Sequence, residues 1–170
     1  MISRPIVADA PEYYSHYFGL VPQADLFEAF DFTEKESIEL FSSIPGNKEL
    51  FRYAPGKWTV KEVISHITDT ERILTYRALR FSRGDRTMLA AFDENLFAPN
   101  SNSEKRKMQD MIDEFIAVRH AGILLFRSFS QEMLDVKGQY GDLEVSVRSI
   151  GWMIAGHNVH HCKVIRERYL

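Results

Sequence analysis

The stretch Gly156-His157-Asn158-Val159-His160-His161-Cys162-Lys163-Val164-Ile165 places three of the chain's six histidines within five positions. On a helix, His157 and His161 stand at i and i+4, which stacks two imidazoles on one face, one turn apart. Two side chains so placed reach one metal ion. The surrounding sequence supports the helix. Ser146 is an N-cap residue, and a helix is predicted over about 147–167. Projected at ~100° per residue, Ile150, His157, His161 and Val164 share one narrow sector, flanked by Met153 and Ile154. Both histidines therefore point inward, and the helix needs partners to face.

Three further helices supply them. Thr59-Val60-Lys61-Glu62 is a capping box, in which the threonine hydroxyl accepts from the Glu62 N–H and the glutamate reaches back to the threonine N–H. It opens a second helix over about 60–82, with Val63, Ile67, Thr70 and Leu74 as its inward stripe. His66 lies on that stripe, and Ser82-Arg83-Gly84-Asp85 ends the helix. Before it, Asp25 caps a first helix over about 25–43 with an approximate stripe from Leu26 to Ile44. Asp31-Phe32-Thr33 threatens its regularity, and Pro45-Gly46 closes it. After it, Ser101-Asn102-Ser103-Glu104 reads as another capping box, starting a third helix that runs to about 129. Gly122 inside that helix either permits a close approach or costs about 1 kcal/mol.

The fold expectation is all-α: a four-helix bundle with a long crossover connection between helices two and three. That connection, residues 84–103, is long enough to cross the bundle, and its aromatic and carboxylate content argues that it packs down. Residues 131–145 carry Gly138 and Gly141 and read as a loop with room for a short hairpin. Residues 1–24, interrupted by Pro5, Pro11 and Pro22, read as irregular, with the aromatic cluster Tyr13 to Phe18 packed over the outside of the core. Residues 1–170 read as one domain.

Composition narrows the function. The chain has 170 residues, 45% hydrophobic and 26% charged, as expected of an ordinary globular protein. A net charge of −3 without any Lys/Arg run argues against nucleic-acid binding. No apolar run approaches the roughly 18 residues that span a bilayer. Met1-Ile2-Ser3-Arg4-Pro5 lacks the apolar core of a secretory signal, and a single cysteine, Cys162, fits a reducing compartment. The expected location is cytoplasmic.

A lone inward histidine is usually satisfied by hydrogen bonds. Two on one helix face with His66 inward on another are different. Unpartnered imidazoles packed together suffer desolvation, and repel one another if protonated. A divalent ion removes both problems. Three imidazoles suit Zn²⁺, Ni²⁺ or Fe²⁺ better than Mg²⁺ or Ca²⁺, and three protein ligands leave a coordination position open. His160 sits about 60° round the wheel from His157 and ranks behind His161 as a ligand. The pair His157/His160 is the second choice. His16 and His120 have no supporting neighbours.

Tyr53-Ala54-Pro55-Gly56-Lys57-Trp58-Thr59-Val60-Lys61-Glu62-Val63-Ile64-Ser65-His66, then Phe92-Asp93, then Ala155-Gly156-His157-Asn158-Val159-His160-His161 resemble, in order and spacing, the DinB/YfiT-like superfamily. The resemblance extends over about 13–170. It implies a four-helix bundle, often a homodimer. It also implies a divalent metal, commonly nickel or zinc, held by one histidine of helix two and by a His-x-x-x-His on helix four. Those positions are His66, His157 and His161. The family includes S-transferases that use bacillithiol or mycothiol, an isomerase, and proteins described as metal-dependent hydrolases or damage-inducible proteins.

The leading expectation is therefore a metal-dependent enzyme acting on a small molecule, either a low-molecular-weight-thiol S-transferase or a hydrolase. The alternative is a non-catalytic, metal-stabilised bundle acting as a binding or stress-response protein. Asp93 is the candidate general base, with Glu94 beside it; the competing role for Asp93 is capping the backbone. Asp69 and Glu71 read as polar surface positions, and Trp58 and Cys162 as packing residues.

Overall fold

The computed structural model describes residues 1–6 and 10–170. The bundle is built from α2 (Leu26–Ser43), α3 (Val60–Ser82), α5 (Met108–Arg127) and α7 (Val147–Arg168), with shorter elements between them. The expected caps hold three of these starts. Asp25 accepts from the Phe27 and Glu28 N–H groups, and Ser146 from Ser149 N–H. Both halves of the Thr59/Glu62 box form, with Arg52 pairing Glu62 at 2.8 Å. The first helix runs through Asp31-Phe32-Thr33 without a break.

Three expectations need correction. Residues 12–18 are helical, not irregular: α1 (Glu12–Phe18) starts at Pro11. Proline is well placed there because its fixed φ and missing N–H cost nothing at a helix start. Tyr14, Tyr17 and Phe18 are buried in the core against α7 instead of lying outside it. The part of that expectation covering residues 7–9 lies outside the described residues. Second, the 101–104 capping box does not open the third helix. Asn102 turns left-handed at φ 56°, Ser103–Lys105 forms a 3₁₀ turn, and α5 begins after Lys107 without a side-chain cap. Third, Glu71 is buried, not a surface position.

The connection between α3 and α5 contains α4 (Glu94–Asn100). The segment after α5 holds α6 (Gln131–Asp135) and an antiparallel hairpin of β1 (Lys137–Tyr140) and β2 (Leu143–Ser146), with Tyr140 opposite Leu143. Leu89 bridges to Tyr140, tying the long connection to the hairpin.

The helices pack in the ring α2–α7–α3–α5. Residue pairs fix their directions. Lys61 Nζ donates to the Arg106 carbonyl at 2.7 Å, and Glu71 meets Arg119, so α3 and α5 are parallel. Parallel neighbours require a return along the bundle, which is the work of the long crossover connection. Ser37 meets Asn158 while Lys48 meets Tyr169, so α2 and α7 are also parallel. Trp58 meets Tyr169 while His66 meets His157, so α3 and α7 are antiparallel neighbours.

The apolar core is in two parts. One gathers Leu26, Phe30, Leu74, Phe81, Phe126 and Ile150; the other gathers Phe41, Val60, Ile64, Met111, Phe115 and Ile165. Between them runs a buried polar layer that includes Thr33, Ser37, Glu71, Arg119 and Asn158. His66 and His157 lie at the same level.

Candidate metal centre

His66 comes from the second turn of α3, and His157 and His161 from successive turns of α7. Because these helices are antiparallel neighbours, the three side chains converge. Their ligand-capable atoms lie within 4.8 Å of one another. His66 Nε2 and His157 Nε2 are 3.0 Å apart. The ring centroids of His157 and His161 are 4.4 Å apart, and each is within 5 Å of the His66 ring. His66 and His157 are buried and His161 is half-buried. Thr70, one turn on from His66, places Oγ1 3.5 Å from His66 Nδ1. An N–H donated there leaves the Nε2 lone pair facing the cluster.

Electrostatics keep the group neutral. Burial, and then the neighbouring His160, push the His66 pKa down to about 4. Burial holds His157 well below the usual histidine range, helped by His161, His66 and His160; His161 is held down by burial and then by His66 and His160. A neutral imidazole presents one lone pair, which is the form that ligates metal. Three convergent neutral nitrogen donors, with no carboxylate in the group, fit a divalent transition ion and leave part of a tetrahedral shell open.

His160 is not in the convergent group. It is half-buried beside it, its ring 4.9 Å from His161 and 5.6 Å from Tyr17. Exposed His16 reaches to 6.2 Å from its ring, a neighbour that sequence spacing did not show. His120 is elsewhere, against Glu34 at 3.0 Å. Cys162 is buried against Ser37, and burial raises its pKa.

The cluster borders a cavity of about 300 Å³ walled by Tyr14, Tyr17, Leu74, Phe92 and Met153. A second cavity of about 290 Å³ shares Trp58, His160 and His161 with the first as lining residues. Trp58 packs directly on the site: its ring centroid is 4.7 Å from that of His66. Gly156 makes the α1 wall possible. A Cβ there would lie 2.2 Å from the Tyr17 carbonyl oxygen, so any other residue would push α1 off the site.

The loop carboxylates separate. Asp93 is exposed and accepts from Asn95 N–H at 2.9 Å as the N-cap of α4. It is Glu94 that borders the cavity. Sequence reasoning missed Tyr17, Arg77 and Tyr140 as cavity residues. Only Arg77 carried a signal, its spacing from His66, Thr70 and Leu74 along one helix face.

No curated protein matches the sequence. Among solved structures, YfiT from Bacillus subtilis, described as a probable metal-dependent hydrolase with an unusual four-helix bundle topology, aligns with a TM-score of 0.77. The alignment covers 96% of this chain and 90% of that one at 13% identity, a likeness of fold. Among the described residues, no helix is long and apolar enough to cross a membrane. A family model for the DinB superfamily matches residues 29–165, and the chain belongs to that superfamily.

Proposed function

We propose that the protein is a metal-dependent enzyme acting on a small molecule, with His66, His157 and His161 as the ligands of a divalent ion. Nickel or zinc is the leading identity and iron also suits the donors. The observation that carries the reading is the convergence of three neutral imidazoles at the wall of a cavity. Bound there, such an ion supplies Lewis acidity, which lowers the pKa of a bound water or stabilises a thiolate.

The chain's own residues do the rest. Thr70 fixes the tautomer and tilt of His66. Tyr17 and Trp58 lay apolar ring surface against the imidazoles and limit water around them. Glu94, at the cavity wall, is the group placed to take up a proton. Asp93 then acts indirectly: its capping bond holds the first turn of α4 and so the position of Glu94.

Hydrolysis is the leading reaction. Transfer from a low-molecular-weight thiol is the second reading, favoured by the two cavities that meet at Trp58, His160 and His161, since a bimolecular transfer needs room for two reactants. The buried single cysteine supports a reducing, cytoplasmic setting, and a homodimer rests on the family resemblance alone.

The test is turnover by purified, metal-loaded protein, with and without chelator. The substrates are a set of chromogenic esters and amides, and in parallel bacillithiol with a chromogenic electrophile. Chelator-sensitive turnover of the first set supports hydrolysis, and of the second supports transfer. Loss of thermal stability on chelation, without turnover in either arm, supports the non-catalytic alternative.

A further inference from the structure

Arg77 is 3% exposed, yet no Asp or Glu among the described residues forms an ion pair with it. A buried cation without a partner is costly, and proteins seldom keep one without a use for it. Among the described residues its one hydrogen bond runs from Nη2 to the Ala90 carbonyl at 2.9 Å. The face of the guanidinium lies over the Tyr140 ring, 3.7 Å from the centroid. Neither contact neutralises the charge. The residue borders the same cavity as the three histidines, and its remaining N–H groups are not among the buried, unpartnered atoms.

Two hydroxyls stand beside it. Tyr14 and Tyr140 hydroxyls are 2.7 Å apart and both residues are buried. One donates to the other, so the pair has one O–H proton left over for a further acceptor. Burial raises both pKa values, which keeps the hydroxyls as donors.

His66 and Arg77 stand eleven positions apart on α3, about three turns and ~16 Å along the axis, on nearly the same face. Side chains on a helix lean toward its N-terminus, so the long Arg77 side chain leans back along the face that carries Thr70 and His66. Thr70 and Leu74 fill the face between them. The cavity thus has a neutral nitrogen pole and a cationic, hydroxyl-rich pole joined by a largely apolar wall, with exposed Glu94 the one carboxylate among the described residues at its border. Among the described residues, Arg77 is the only Lys or Arg at its border. A single planar cation matches a monoanion, and a guanidinium matches a carboxylate in shape.

We propose that Arg77, with the Tyr14–Tyr140 hydroxyl pair, binds the carboxylate of an elongated small-molecule substrate whose reacting group lies at the histidine pole. Assigning the reacting group to that pole rests on the function proposed above; the carboxylate site itself does not. Carboxylate binding is therefore measured on metal-free protein as well as on zinc-loaded protein.

The probes are straight-chain carboxylates from butanoate to octanoate, against the neutral primary amides of the same length, followed by thermal shift and titration calorimetry. Metal-free protein is expected to bind at least one carboxylate tenfold or more tightly than its amide. Arg77→Gln removes that preference, and Arg77→Lys retains part of it. If Arg77→Gln does not fold, Tyr14→Phe and Tyr140→Phe take its place, each expected to weaken the carboxylate severalfold and leave the amide unchanged. Equal binding of carboxylate and amide by unaltered protein overturns the proposal. So does a preference that appears only with zinc and survives Arg77→Gln, which would place the carboxylate on the metal. Arg77-dependent binding in a protein that takes up no zinc would sustain this site while removing the metal-enzyme reading.

Discussion

Two polar clusters lie in one layer of the bundle, and they are built in opposite ways. Glu71 and Arg119 are fully buried and closed on themselves. Arg119 gives Nε to Glu71 Oε1 at 2.7 Å and Nη2 to Oε2 at 2.9 Å, and Nη1 reaches the Phe30 carbonyl and Thr33 Oγ1. Phe30 and Phe115 rings flank the guanidinium. Every strong donor has its acceptor within the chain. On the α7 side of the same helix, His66, His157 and His161 share one short contact between rings and have no opposite charge. Their ligand-capable nitrogen atoms converge at the wall of a cavity. A buried polar group that is satisfied internally holds the fold. A cluster of neutral donors that meets a cavity without an opposite charge beside it is suited to something that arrives from outside.

Breaking the closed cluster should have the largest effect. Arg119→Ala leaves the Glu71 carboxylate buried without its cation, and denaturant unfolding is expected to show a loss of about 3–5 kcal/mol. Pairing Arg119→Met with Glu71→Leu should recover most of it, because no charge is then stranded. Metal content per folded chain should not change.

The open cluster should respond the other way. His157→Leu is expected to weaken zinc or nickel binding at least ~100-fold, beyond the range seen for residues that merely orient a ligand. The metal-free variant should melt no lower than metal-free unaltered protein, since an apolar side chain replaces an imidazole short of partners. A large loss of metal-free stability would mean that the histidines are a closed cluster too.

Two glycines sharpen the comparison at smaller scale. Gly156→Ala would meet the Tyr17 carbonyl, and a loss of about 1–3 kcal/mol is expected, with faster hydrogen exchange confined to α1. Gly122 lies beside the closed cluster, where an added Cβ would sit 3.6 Å from Glu71 Oε1 and Thr75 Oγ1, an ordinary contact. Gly122→Ala should therefore stabilise the protein by about 0.5–1 kcal/mol through helix propensity. Thermal melts of both variants check the pair.

Much of this was legible in the residues because it is local. The Thr59/Glu62 box and the Asp25 and Ser146 caps fix helix starts, and the i, i+4 spacing puts His157 and His161 on one face. What was not legible is long-range. Nothing local distinguishes a Glu71 that meets Arg119 on another helix from a solvated glutamate, and nothing says that Arg77 meets no such partner among the described residues. The Ser101–Glu104 pattern failed because Asn102 takes a left-handed turn that breaks the box. α1 and α4 are single short helices, below the length at which periodicity speaks. Asp93 shows the same limit: its residue type allowed either a cap or a base, and the capping bond at the start of α4 became visible only in the fold.

The central claim is the metal site, and metal content tests it most directly. Protein stripped with chelator, reconstituted with zinc or nickel and desalted should carry about one ion per chain by plasma mass spectrometry. His66→Ala and His157→Ala, shown to be folded by circular dichroism, should carry only a trace. Absence of a bound ion in the unaltered protein after reconstitution, or equal content in the variants, would contradict the account.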